Sequence, residues 1–237
     1  MVRTDLTLRP ATSADKPAIA GLHFRAREAA YPAMPRSGHP LHEAQAWVGG
    51  WDLSAYDVWL AESPDQVVGY ARFDREWLED LYVDPAAQGA GIGSALLDLV
   101  KARRPAGFCL WVFESNEPAR GFYHRHGLVD LERTDGAGNE EREPDIRMAW
   151  PGHEPLGYYR GLTDDIDAQL GDLLNRRAAL TRAVQLHKGT TERDPARERE
   201  IARALAARAP LLGEDRAARI VHAIITESLD AVTGSVE

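Results

Sequence analysis

After Trp150 this sequence changes texture, and that change constrains the fold more than any other feature. Up to Trp150, short apolar runs of strand length alternate with stretches of helical spacing. Past the breaker cluster Pro151-Gly152-His153-Glu154-Pro155 nothing reads as a strand. The reading is therefore two domains, 1–150 and 157–237, joined by a linker at 151–156, which suits a chain of 237 residues. The first is an α/β or α+β domain and the second is all-α.

Within the first domain, strands are predicted at 6–9, 57–61, 66–73 and 77–83, with a turn at Ser63-Pro64-Asp65 joining the second and third. A helical stretch opens at Ser13-Ala14-Asp15-Lys16, a run that supplies an N-cap. Helical spacing over 95–101, an apolar strand over 107–113, a short helix over 119–126 and a closing strand over 146–150 complete it. In the second domain Leu162, Ile166, Leu170, Leu173, Leu174, Leu180 and Val184 give one long helix over 156–188. A loop covers 189–193, shorter helices follow near 195–208 and 213–232, and a frayed tail is expected from Thr233.

Composition excludes several classes. A net charge of −9 argues against a nucleic-acid binder working by phosphate neutralisation. No apolar run has the length of a membrane span, and Met1-Val2-Arg3-Thr4-Asp5 lacks a secretory pattern. Cys109 is the single cysteine, so no intrachain disulfide or cysteine-rich zinc site is possible and a cytoplasmic location is expected. No metal is expected. Beyond residue 150, 11 of 12 cations are arginine, the side chain suited to planar carboxylates, although arginine is favoured throughout.

The sharpest local feature is a strand, Leu81-Tyr82-Val83, that ends at Asp84-Pro85 and is followed by Gln88-Gly89-Ala90-Gly91-Ile92-Gly93-Ser94 opening an apolar helix. Glycines allow close backbone approach, and the N–H groups at a helix start favour a phosphate; from the glycines alone a plain strand-to-helix turn is the stronger reading. With Asn116-x-x-Ala119-x-x-Phe122-Tyr123 before Gly127-Leu128, the region resembles the GNAT acetyltransferase superfamily over nearly all of 3–150. The resemblance implies an acyltransferase fold with a mixed, mostly antiparallel sheet and acetyl-CoA as cosubstrate. It implies that the 88–94 backbone holds the pyrophosphate, that Leu81, Tyr82 and Val83 line the pantetheine arm and that Asn116 hydrogen-bonds it. Tyr123 falls where the family places a general acid. Glu79 and Asp80 are candidate bases for an amine acceptor, or solvated carboxylates; alternation lets at most one face the cleft. His124 and His126 read as exposed helix residues. Residues 26–56, with Trp47, Trp51 and nearby Trp59, are expected to line the site of a small-molecule amine, which the acidic charge suits.

Arg177 and Lys188 are 11 positions apart, three helical turns, and share a face; Arg160 lies 17 positions earlier, about 25 Å along the axis. Arg160 joins the others around one small molecule only if two such helices pair antiparallel. The run Asp165-Ile166-Asp167-x-x-Leu170-x-x-Leu173-Leu174-x-x-Arg177-x-x-Leu180, with Lys188, Asp194-Pro195-x-Arg197-Glu198 and Ile224-Ile225-Thr226-Glu227-Ser228, resembles the all-helical (AroQ-type) chorismate mutase family over 157–232. The resemblance implies a three-helix domain forming an intertwined homodimer. It gives Arg177 and the partner's Arg160 to the carboxylates of chorismate, Lys188 to a carboxylate and the ether oxygen, and Arg197 to holding the substrate. Glu198 and the Asp194 backbone take the ring hydroxyl, and Ser228 a carboxylate. The rearrangement is intramolecular, so holding the folded conformer and stabilising charge at the ether oxygen suffice.

Val232 departs from the family, which commonly places Gln or Glu there to donate to the ether oxygen. Losing such a donor costs roughly 2.7–4 kcal/mol. The domain then reads as a slow or partner-activated mutase, as an enzyme for isochorismate or 4-amino-4-deoxychorismate, or as a non-catalytic sensor of such a dicarboxylate.

Overall fold

A computed structural model describes residues 6–36, 38–188 and 193–233. The chain forms two compact units, Met1–Tyr159 and Arg160–Glu237.

In the first unit β1 (Thr7–Pro10), β2 (Asp57–Glu62), β3 (Val67–Phe73) and β4 (Leu78–Val83) form an antiparallel meander in that order. A second sheet has the order β5 (Phe108–Phe113), β7 (Asp145–Trp150), β6 (Val129–Arg133), all antiparallel. The two sheets meet at one parallel bridge, Trp77 to Cys109, where the Cys109 N–H donates to the Glu76 carbonyl at 2.8 Å. Beyond it no ladder joins β4 to β5 among the described residues, so the facing edge of β4 carries backbone groups with no strand partner. The strands part here, and the gap between them is where the site forms.

Helices cover both faces, which is why consecutive residues of the central strands are buried. Leu60 and Tyr70 face α1 (Lys16–Ala29) and α2 (Leu41–Gly49) with Ile19, Leu22, Val48 and Trp51. Their neighbours Ala61 and Ala71 face α3 (Ile92–Arg103) and α4 (Glu117–Arg125), with Leu96, Leu97, Leu110 and Met148. Burial of apolar surface on both sides is the main stabilising contribution.

The structure amends three sequence expectations. The first helix starts later within its expected run: Thr12 and Asp15 form a capping box around the 3-10 turn Ser13–Asp15, and α1 follows from Lys16 with Asp15 as its N-cap. The strand at 146–150 does not close its sheet but lies in its middle, because the unpredicted β6 pairs on its outer side. All five β6 residues are exposed, so no buried alternation marked them as a strand. Helix α2 also falls in a stretch expected only to line an acceptor site.

The second unit continues α5 (Pro155–Lys188), which opens inside the breaker cluster, and adds α6 (Pro195–Arg208) and α7 (Gly213–Thr233). Asp194 caps α6, its Oδ1 accepting from the Ala196 and Arg197 N–H groups at 2.9 and 3.1 Å. Packing of α6 on α7 buries Ala202, Ala217 and Val221. Helix α5 buries no residue: Ile166, Leu170, Leu173, Leu174, Leu180 and Val184 all stand exposed. Among the described residues no helix is long and apolar enough to cross a membrane. The loop expected at 189–193 lies outside the described residues except for Arg193, as does the tail 234–237.

Candidate functional site

In the first unit the parted strands enclose a cavity of about 540 Å³, walled by β4 (Leu78, Glu79, Leu81, Tyr82), β5 (Leu110 to Phe113), α4 (Ala119, Tyr123), Asn116 and the β6–β7 loop. A second cavity of about 510 Å³ adjoins it under α1 and α2 and shares Arg27, Glu79 and Tyr82.

Tyr123 is 9% exposed and its hydroxyl makes no hydrogen bond to another described residue. Burial, with Tyr82 and Asp80 nearby, raises its pKa above the usual phenol value, so it keeps its proton throughout the neutral range. Glu79 lines both cavities yet stays open to solvent, and no hydrogen bond or ion pair holds its carboxylate among the described residues. Partial withdrawal from water, opposed by Arg72 and reinforced by Asp74 and Asp80, raises its pKa. Asp80 takes a different part: it is buried on β4, bound to the Arg72 Nε at 2.5 Å. Burial raises the Asp80 carboxyl against that pairing. Of the two candidate bases, the structure leaves Glu79 unengaged and commits Asp80 to an ion pair.

Asn116 lines the cavity and is also the N-cap of α4, its Oδ1 accepting from Ala119 at 3.2 Å. The cap uses the oxygen and leaves the amide N–H₂ to point elsewhere. Tyr82 has a side chain set with Arg27 and His23 in the second cavity, with its hydroxyl pushed up to about 12 by burial. Its backbone, with that of Leu81 and Val83, forms the unpaired β4 edge. His23 bonds Tyr70 at 2.8 Å and burial pushes it down to about 4, so it is neutral.

The glycine turn lies beyond these cavities, at the end of β4. Gly89 and Gly91 have φ of +76° and +81°, and Gly91 is the N-cap of α3. An added Cβ at either would meet nothing within 4 Å, so conformation, not crowding, demands glycine. Ile92, Gly93 and Ser94 form the first helical turn, whose N–H groups have no intrahelical acceptor. Gly91→Ala is expected to destabilise the fold by about 1–2 kcal/mol, read as a lowered Tm, because it forces a left-handed alanine. Ser94 is tied by its hydroxyl to His126 Nε2 at 3.0 Å, and His126 Nδ1 meets the Phe122 carbonyl at 2.9 Å. His126 is therefore a half-buried link between α4 and the first turn of α3, not the exposed residue expected; His124 is exposed and pairs with Asp130.

In the second unit two clusters form. Arg177 Nη1 donates to the Ser228 hydroxyl at 2.7 Å and the Ile224 carbonyl at 3.3 Å, joining α5 to α7. Arg193, which the sequence reading did not single out, grips Glu198 through Nε and Nη2 at 2.6 and 2.8 Å and also reaches Thr226 and His222. That bidentate pair holds the Glu198 carboxyl below its ordinary range. The signal available was adjacency to the Asp194 cap. Arg197 turns away to Glu200. Arg160 is exposed on the first half of α5 and Lys188 ends the helix. Val232 falls in the last turn of α7, and its side chain lies outside the described residues. Among the described residues no three His, Cys, Asp or Glu side chains gather as a metal site would require.

Comparison with known proteins separates the chain in the same way. Residues 54–129 match the family model for the acetyltransferase (GNAT) domain, and 159–232 match that for chorismate mutase type II. The first span contains Glu79, the 88–94 turn, Asn116 and Tyr123; the second contains Arg160, Arg177, Lys188, Glu198 and Ser228. A peptidyl-lysine N-acetyltransferase of Escherichia coli, YiaC, is 31% identical over 123 residues, covering 48% of this chain and 81% of that protein. A probable N-acetyltransferase of Mycobacterium tuberculosis is 29% identical over 145 residues, covering 53% and 80%. The solution structure of apo YjaB from Escherichia coli superposes with a TM-score of 0.52 at 23% identity, covering 62% of this chain and 98% of that one.

Proposed function

We infer that this chain, which belongs to the GNAT N-acetyltransferase family and carries a type II chorismate mutase domain behind it, is a bifunctional cytoplasmic enzyme. The assignment gives 1–150 to acetyl transfer from acetyl-CoA to a small-molecule amine and 157–237 to the rearrangement of chorismate to prephenate.

The observation that carries the first activity is the cavity between β4 and β5, lined by an unengaged carboxylate, Glu79 on β4, and a protonated phenol, Tyr123 on α4. The residues present fit acetyl-CoA. The unpaired β4 edge offers backbone amides to the pantetheine arm, the Asn116 amide N–H₂ lies in the same wall, and the turn at 88–94 offers a helix start to a pyrophosphate. Acetyl-CoA supplies an activated acyl group on a thiol leaving group. Glu79 takes the proton that an ammonium must lose before its nitrogen can attack, and Tyr123 holds a proton for the leaving sulfur. Because the Glu79 carboxyl is raised, its base form is lost on acidification at a higher pH than for an ordinary glutamate. The kcat/KM profile should accordingly have an acidic limb that Glu79→Gln removes, along with most of the rate. Thiol release from acetyl-CoA in the presence of amines tests the activity itself.

The second activity is supported by the Arg177–Ser228 pair and by the apolar stripe of α5, which the described residues of its own chain leave exposed. A second copy laid antiparallel along α5 would cover the stripe and bring its own Arg160 toward Arg177 and Lys188, completing a dicarboxylate site. Arg193 already presents Glu198 as an ionised acceptor for a ring hydroxyl. Chorismate disappearance followed by ultraviolet absorbance, with product mass, tests this. Binding without turnover, which Val232 makes a specific alternative, would point to 4-amino-4-deoxychorismate or isochorismate as substrate, or to a sensor.

A further inference from the structure

The amine acceptor is the open question of the first site, and one aromatic side chain in its wall answers part of it. Trp111 lies on β5 and lines the same cavity as Glu79, yet it is 43% exposed. Its ring offers the cavity a broad, flat apolar face on which a second ring can stack. It is also held in place. Its ring lies parallel to Trp77, with an interplanar angle of 9° and centroids 6.3 Å apart, and the Arg147 guanidinium covers Trp77 at 5.0 Å. Arg147 is fixed in turn by its Nε donating to Cys109 Sγ at 3.3 Å and by Glu132 at 3.7 Å. The stack is a rigid platform, which lowers the ordering cost of a ligand that lies on it.

The charges around the platform are as selective. The cations in the walls of the two adjoining cavities are all engaged: Arg27 with Glu141 at 2.6 Å, Arg72 with Asp80, and His39 with Glu43 and Glu140. Arg27 has a hydrogen-bond donor without a partner, its Nε, but that atom is buried out of reach of a ligand. Glu79 carries a carboxylate with no partner, and Asp145 is satisfied by neutral donors, Thr134 and Asn139. Among the described residues the site thus offers negative charge to an ammonium and no unengaged cation to a carboxylate.

We propose that the acceptor is a primary amine on a flat aromatic body with no carboxylate beside the nitrogen, its ring stacked on Trp111 while the amine reaches Glu79. This rests on the acetyltransferase reading and deepens it. An amino acid would bring a carboxylate to walls that are already anionic, and a plain aliphatic amine would leave the Trp111 face unmatched.

The test compares 2-phenylethylamine, hexylamine and phenylalanine as acceptors in the full-length protein, with thiol release as the readout and acetyl-CoA binding measured by calorimetry in parallel. Phenylethylamine should exceed both others in kcat/KM by about tenfold or more. Trp111→Ala should raise its KM about tenfold while changing the KM for hexylamine and for acetyl-CoA by less than about twofold. Trp111→Phe, which keeps a ring, should restore most of the difference and guards against a folding defect in the alanine variant. Preference for phenylalanine, an equal loss for both amines in Trp111→Ala, or bound acetyl-CoA with none of the three amines acetylated would overturn the proposal alone. Failure to bind acetyl-CoA would overturn the acetyltransferase reading, and the proposal with it.

Discussion

Replacing Tyr123 by phenylalanine is expected to lower kcat for acetyl transfer by about 100-fold or more, with acetyl-CoA binding unchanged. The exchange removes one oxygen from a side chain that is otherwise packed in the core among Leu96, Leu110 and Leu128. Volume and shape are nearly conserved, so the cost in stability should stay below about 1.5 kcal/mol and the fold should survive. What disappears is the hydroxyl proposed above as the proton donor. The remaining hydroxyls in the cavity wall are engaged: Thr134 donates to Asp145, and Tyr82 lies beside Arg27. Among the described residues no other neighbour in the cavity wall carries a free hydroxyl to replace the phenol. Because burial holds the Tyr123 proton past the usual phenol range, the wild-type rate should show no alkaline loss from this group below pH of about 10. An unchanged kcat in Tyr123→Phe, with the substrate bound, would remove the general-acid role. A reduced affinity for acetyl-CoA at constant kcat would mean that the hydroxyl only holds the cofactor.

The place of Tyr123 on a short helix was legible and that of Trp111 at the cavity wall was not, for a physical reason. Tyr123 belongs to a local pattern, an Asn116 cap followed within two turns by Phe122-Tyr123, and spacing along one helix survives into the fold. The glycine turn was legible for the same reason: Gly89 and Gly91 answer a backbone requirement set by their own φ angles. Trp111 sits in an unbroken apolar strand, Phe108-Cys109-Leu110-Trp111-Val112-Phe113, where every position reads as core. Only the partner strand decides which of them meets a wall of the gap, and the one bridge to β5 comes from Trp77, just before β4 begins. The choice between Glu79 and Asp80 was likewise left to tertiary structure. Alternation required that they differ, but Arg72, directly across the β3–β4 ladder from Asp80, determines which one is neutralised. Arg193 escaped because its role comes from reaching Thr226 and His222 on α7, far along the chain.

The largest loss in the second unit is expected from a pair of single substitutions that restore each other when mixed. Arg160→Ala and Arg177→Ala should each lower chorismate turnover by about 100-fold or more, since each removes a cation from one of two carboxylates in a site whose chemistry depends on holding the folded conformer. Along α5 the two arginines are 17 residues apart, roughly 25 Å, so one chain cannot place both on one small molecule. If the exposed stripe from Ile166 to Val184 pairs with its copy, each site takes Arg177 from one chain and Arg160 from the other. Subunits of the two variants, unfolded together and refolded in equal amounts, would then form mixed dimers in which one site carries both arginines and the other neither. With random pairing, half the dimers are mixed, and turnover should recover to about a quarter of the wild-type value per chain. Each variant refolded alone should stay inactive. No recovery in a mixture whose dimers have formed, as judged by sedimentation, would place both arginines on one chain's site or take Arg160 out of it. Arg177 requires one control: it also binds Ser228, so its alanine variant must keep the helical content of the wild type before its loss is assigned to the substrate. The mixing experiment supplies that control directly, because a misfolded Arg177→Ala subunit could not lend a working Arg160 to its partner.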